Sequence, residues 1–260
     1  MTEVAQQDRA LTEALEHIDQ FVEASMREQA TPGVALAVTD RERTLATRNY
    51  GYADLAALKP IADETLFEFG SIGKSFTAIC FLQLAEAGLV DLQAPVTTYL
   101  PWFAVESPYE PITIHHLLTH TAGIIGGSDF TPDQRFEVWA LREADVAPPG
   151  QKARYSNVGY KLLGLVLEAV TGKPYGELVE ERIFAPLGMR HAAAITSDVR
   201  RRLAVGYTPF YDDRPWRPEH GFVPATWLET NTADGCLVAS AADLATYLPM
   251  LLNGGAGSTE

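Results

Sequence analysis

Apolar residues recur at Leu11, Leu15, Ile18, Phe21, Val22 and Met26. That spacing of three and four predicts an amphipathic helix over about residues 7–29. Thr31-Pro32-Gly33 ends it. "VALAVTD" and "TLATRNYGYAD" flank the polar "RER" and read as two strands joined by a tight turn. The short run "LFEFG" leads into Ser71. From Phe76 to Leu89 almost every position is apolar, Leu82 among them, which predicts a helix buried on all sides and stopped at Gly88. "TIHHLLTHTAG" reads as a short helix capped by Thr113 and closed at Gly123. "GIIGGSDFTPDQ" reads as a flexible loop. Tyr160 to Val170 form a further helix closed by Thr171-Gly172. Pro174 suits the first turn of the next one, which ends near "FAPLGM". A long aromatic-rich segment, about residues 195–235, shows no regular period and no obvious strand. Ser240 and Asp243 make a capping box for a last helix, stopped by Asn253-Gly254-Gly255.

Two strands followed by helices leave the sheet short, because a two-stranded ribbon is marginal alone. Something is expected to extend it.

Candidate chemistry begins at "EFGSIGKSFTA". Ser71 stands at the start of the buried helix, where free N–H groups and the macrodipole favour developing negative charge. Lys74, three residues on, shares its face. A lysine desolvated at the positive end of a dipole is the kind of amine that takes a proton from a serine, and the Ser71 N–H is placed to act as an oxyanion donor. The plain alternative is a helix start with a lysine on its first turn. A second element lies in "ARYSNVGY". Tyr155 and Asn157 fall on one side of an extended segment, a phenol able to relay a proton and an amide able to donate to a carbonyl. Alone, this too reads as packing and helix capping.

Together the two stretches resemble the serine β-lactamase and penicillin-binding superfamily. The branch is that of class C β-lactamases, D-alanyl-D-alanine carboxypeptidases and related carboxylesterases. "FEFGSIGKSFTA" is similar to its nucleophile motif and "YSN" to its second motif. "ITIHHLLTHTAGI", "YSNVGYKLLGLVLEAVTGKPY", "IFAPLGM" and "GCLVASAADLATYLPMLLNGG" resemble further stretches in the same order. The resemblance runs from about Gly33 to Gly255. It implies an α+β, β-lactamase/transpeptidase-like fold, a helical region against an antiparallel sheet. It implies Ser71 as nucleophile, Lys74 as its partner in deprotonation, Tyr155 as proton relay to the leaving group, and Asn157 as a contact to substrate and lysine. Whether lysine or tyrosine is the base stays open. No metal or cofactor is implied.

The family's third element, Lys-Thr-Gly or His-x-Gly on a strand lining the cleft, is not found. "TGKP" at Thr171 has the wrong order and place, and "HTAG" at His120 has one residue too many. The expectation is a single domain over residues 1–260, its mostly helical part about 71–190, with the C-terminal strands missing. A longer protein or a second chain would supply them.

The remaining features narrow the partners. The chain has 260 residues and a net charge of −14, which argues against nucleic acid and anionic membranes. The expected partner is a small ester, amide or peptide. The N-terminus has no basic n-region or apolar h-region, and Cys80 and Cys236 stand far apart. A reduced cytoplasmic protein is expected, although removal of an export leader would leave the same start. His116 and His120 are four apart, but Leu117 stands where a zincin has glutamate, so no metal is expected. Tyr207, Phe210, Tyr211, Trp216, Phe222 and Trp227 either line a substrate pocket or pack a loop. The expected activity is that of a serine hydrolase forming an acyl-enzyme. The alternative is a non-catalytic relative that only binds in the same cleft.

Overall fold

The computed structural model describes residues 3–128, 133–226 and 232–255. Its elements begin with helix α1 (Glu3–Gln29), strands β1 (Gly33–Thr39) and β2 (Thr44–Asp54), and the short strands β3 (Lys59–Pro60) and β4 (Phe67–Glu68). Helices α2 (Gly73–Glu86), α3 (Ile114–Leu118), α4 (Gln134–Ala140), α5 (Asn157–Thr171) and α6 (Tyr175–Val179) follow. A π turn continues α6 into α7 (Ala185–Leu187). Then come α8 (Thr196–Val199), strands β5 (Tyr207–Pro209), β6 (Phe222–Pro224) and β7 (Val238–Ala239), and helix α9 (Ala241–Leu252).

The hairpin β1–β2 is antiparallel, from Gly33 opposite Gly51 to Thr39 opposite Thr44. Asp40 sets its turn, its Oδ1 accepting from the N–H groups of Glu42 and Arg43 at 2.7 and 2.8 Å, the local bonding that makes aspartate a turn former. Helix α1 is tied to the sheet at Asp19, which accepts from Tyr50 Oη at 2.5 Å and lies 3.3 Å from Arg48 Nε. Burial and that carboxylate push the Tyr50 phenol up to about 12. Helix α9 packs on β1 and β2.

The main core is built around α2 and α5. Phe76, Cys80, Phe81 and Leu84 of α2 are fully buried. Phe76 stacks on Tyr247 of α9 at 4.0 Å between centroids and meets the edge of Phe184 at 5.9 Å, which joins the helical layer to the helix that backs the sheet. Thr77 Oγ1 donates to Ala233 O at 2.8 Å and lies 2.8 Å from Tyr175 Oη. Burial pushes the Cys80 thiol up to about 12, consistent with a small hydrophobe rather than a reactive group.

Several boundaries differ from the pattern. Ser71 lies in a 3₁₀ turn, Gly70–Ile72, and α2 proper starts at Gly73. Leu82 of α2 is half exposed, so that helix is not buried all round. Helix α3 ends at Leu118, before Gly123, because His120 turns the chain with a left-handed φ of 57°. Pro174 is the N-cap of α6 rather than a residue of its first turn. The loop from Gly123 runs partly outside the described residues, and α4 follows it, capped by Asp133. The segment read as free of strands carries β5 and β6, paired antiparallel. Strand β7 pairs with β4, Phe67 opposite Ala239 and Glu68 opposite Val238. These strands are two or three residues long, too short for a period of two to show. Among the described residues no helix is long and apolar enough to cross a membrane.

Candidate active site

The β4–β7 pairing places the site. Strand β4 runs out into Ser71, and β7 is entered from Asp234. In an antiparallel pair, residues that follow one strand face residues that precede the other, so the Gly70–Lys74 turn meets the Asp234–Leu237 segment. Contact is close: a Cβ on Gly235 would sit 3.1 Å from the carbonyl carbon of Gly70, so a side chain there would press on the Gly70 backbone. Lys74, only 6% exposed, donates to the Asp234 carbonyl oxygen at 2.5 Å. It also donates to Ser71 Oγ at 3.1 Å.

Tyr155 approaches from the other side. Its Oη donates to Ser71 Oγ at 2.5 Å. Its ring and that of Tyr160 form a π wall about the amine, with Lys74 Nζ 5.0 and 5.5 Å from the two centroids, a contact that favours a cation. Lys74 from the next turn and Tyr155 from a distant part of the chain thus converge on the Ser71 hydroxyl. Asn157, the fourth residue singled out by the sequence, is the first residue of α5 and is half-buried. Its backbone N–H donates to Gly126 O at 2.6 Å, which ties the head of α5 to the loop after α3.

Residues outside the motif set hold this arrangement. Ser156 caps α5, accepting from Gly159 N at 3.0 Å and donating to Ile125 O at 2.7 Å. His120 Nδ1 accepts from Ser156 N at 3.1 Å, and its ring lies 4.5 Å from Tyr155 and 5.0 Å from Tyr160. Burial first, and the Lys74 cation second, hold His120 below the usual histidine range. The acceptor role at Nδ1 requires that neutral form. Tyr160 Oη donates to Leu118 O at 2.9 Å, and burial, with Tyr155 beside it, pushes its phenol up to about 12.

The sequence pairs His116 and His120 only by spacing. In the structure His116 completes a capping box with Thr113, and His120 alone reaches Tyr155. The signal for His120 was its distance from Gly123 in "THTAG", which marks a turn but not a direction. The aromatic segment divides. Tyr207 and Phe222 line a cavity of about 620 Å³ with Tyr52, Phe67, Glu68 and Arg200. Trp216 stacks on Phe222 at 5.2 Å, Phe210 and Tyr211 are well exposed, and Trp227 lies outside the described residues. Ser71, Lys74 and Tyr155 do not line that cavity.

A helical core against an antiparallel ribbon, with a serine, a lysine and a tyrosine meeting at the foot of the central helix, defines a β-lactamase/transpeptidase-like protein. The chain belongs to the beta-lactamase family, whose model matches residues 18–260. It is 33% identical over 220 residues to the esterase EstB of Burkholderia gladioli, covering 76% of this chain and 55% of that protein. It is 27% identical over 246 residues to the protein flp of Staphylococcus aureus strain MW2, covering 87% and 48%. The structure superposes on the octameric penicillin-binding protein homologue of Pyrococcus abyssi with a TM-score of 0.80 and 31% identity, over 94% of this chain and 57% of that one. The chain spans about half the length of the curated relatives it matches.

Proposed function

We propose that this protein is a serine hydrolase that cleaves an ester or amide through an acyl-enzyme on Ser71. One observation carries the reading: Ser71 Oγ lies within hydrogen-bond reach of both Lys74 Nζ and Tyr155 Oη, at 3.1 and 2.5 Å. A hydroxyl so placed loses its proton along one of those two contacts as Oγ bonds to the substrate carbonyl carbon. The carbonyl becomes an oxyanion, which the Ser71 N–H is placed to receive. The C–O or C–N bond then breaks, and the leaving alcohol or amine takes a proton through Tyr155. Water attacks the acyl-serine, returns the acid and restores the hydroxyl. Asn157, at the head of α5, orients substrate and lysine. The reaction has no metal or cofactor in it. An ester or small peptide is the favoured substrate class, supported by the kinship to an esterase.

The domain reading belongs to the same proposal. Among the described residues β1 pairs with β2 alone, and its outer edge would accept further strands. We assign those strands to a longer protein that contains this chain, or to a second chain.

Intact-mass analysis after incubation with a fluorophosphonate tests the catalytic reading. One adduct on wild type and none on Ser71→Ala is expected. No adduct on either would favour a protein that only binds in the cleft.

A further inference from the structure

A second lysine lies deeper than Lys74 and takes no part in the proposed chemistry. Lys161 of α5 is 0% exposed, four residues beyond Asn157 and so on the same helix face. Its Nζ lies 2.6 Å from Glu137 Oε2 of α4 and 3.9 Å from Asp234 Oδ2, and it also donates to Ser128 O. Asp234 is the residue whose carbonyl holds Lys74. Its Oδ1 accepts from Thr232 Oγ1. A fully buried ammonium costs several kcal/mol of desolvation unless it is paired. Here the cost is met by two carboxylates, one of them on Asp234, the residue whose backbone carbonyl holds the proposed catalytic amine.

Two cations and two anions therefore share one buried volume: Lys74, Lys161, Glu137 and Asp234. Ser71, Tyr155, Tyr160 and His120 face Lys74 from the remaining sides. Glu137 is the nearer anion to Lys161, and the Asp234 carboxylate interacts with Lys161 first and with Lys74 second. We propose that Asp234, anchored by the Lys161–Glu137 pair and by Thr232, is a positioning residue that both places Lys74 against Ser71 and sets the charge it carries. This rests on the hydrolase reading for its catalytic meaning, but the coupling of the two residues does not. Burial, the largest influence, raises the Asp234 carboxyl above the usual aspartate range, while Thr232, Lys161 and Lys74 pull it back. An anion near an ammonium favours the protonated amine. Removing that charge eases proton loss from Lys74.

The test is Asp234→Asn, which keeps the backbone carbonyl and the volume. Two quantities are followed against pH: the rate of fluorophosphonate labelling at Ser71, and the ¹³Cε resonance of Lys74, assigned with Lys74→Arg. Expected is a move of the acid limb of labelling, and of the Lys74 resonance midpoint, to lower pH. The plateau rate falls about tenfold as loss of the Lys161 pairing loosens the segment whose carbonyl holds the amine. A merely structural role would lower Tm and leave both midpoints in place. If wild type does not label, the hydrolase reading fails, and the Lys74 resonance still decides the coupling. Should Asp234→Asn not fold, Thr232→Val removes one bond to the carboxylate and is expected to shift the same midpoints the same way by less. Unmoved midpoints in the folded variant overturn the proposal.

Discussion

The His120 ring lies 4.5 Å from the Tyr155 ring while its Nδ1 accepts the N–H of Ser156. One histidine thus fixes both the tyrosine that reaches Ser71 and the residue that caps α5. His120 does so from a left-handed conformation, φ 57°, which asparagine tolerates better than most residues. His120→Asn should therefore preserve the turn and lose the ring contact. Labelling at Ser71 is expected to slow about tenfold, because a small misplacement of a proton relay is costly, with a loss of about 1 kcal/mol of stability from the stacking.

The same residue has a signed pH effect. Its folded-state proton affinity is depressed, so the unfolded chain binds more protons as pH falls through the usual histidine value of about 6.5. Stability from this group is complete above that value and is lost below it, down to the lower folded value. His116, depressed by burial and then by His115, acts in the same direction. The Tm of wild type is expected to fall on going from pH 7.5 to 5.5, roughly the span over which histidine titrates. His120→Asn should flatten part of that fall, and His116 contributes in the same direction. An unchanged slope in the variant would contradict the role assigned to His120.

Tyr155 and Lys74 differ in burial and should differ in what their loss does. Tyr155 is half exposed, so Tyr155→Phe removes only the hydroxyl on Ser71, and Tm should stay within about 1 °C, as for surface changes. Lys74→Met removes a buried charge and keeps an apolar stem of similar length. Its Tm should not fall, the usual trade between a strained site and stability. Each is expected to slow labelling by about a hundredfold or more, the scale of a lost acid–base group.

What the chain pattern revealed follows the range of the interactions. The capping box of Ser240 and Asp243, the cap at Thr113 and the αL stop at Gly172 are local, and the structure repeats them. The hairpin β1–β2 is local too. Helix α4 escaped because Phe136 and Trp139, its large apolar residues, are exposed and only Val138 is buried within it, which leaves no inward stripe to read. Lys161 carried a signal of the same kind as Lys74, a lone lysine in an apolar helical run, but the residues that make sense of it come from α4 and from the approach to β7. Asp234 has no local mark at all. Its place depends on a strand pair of two residues, and pairing between residues some 170 positions apart is set by tertiary packing.

Gly123 and Gly88 share a backbone conformation but not their surroundings. Both have left-handed φ, 74° and 70°, so any side chain is strained at either. They differ in surroundings. Nothing lies within 4 Å of a Cβ built on Gly88, whereas one on Gly123 would sit 2.1 Å from the carbonyl oxygen of Ala147. That oxygen belongs to the backbone of the segment that pairs with Gly123, Ala147 N donating to Gly123 O at 2.9 Å, so it cannot rotate away as a side chain would. Gly88→Ala is expected to cost about 1 kcal/mol, the conformational strain alone. Gly123→Ala is expected to cost about 3 kcal/mol or more, since backbone must move as well. Because Gly123 leads into the Gly126 carbonyl that receives Asn157 N, labelling at Ser71 should fall in Gly123→Ala and stay at the wild-type rate in Gly88→Ala. Denaturant melts of the two variants with the labelling rate beside them separate the outcomes, and equal costs at the two positions would mean that the Ala147 segment yields.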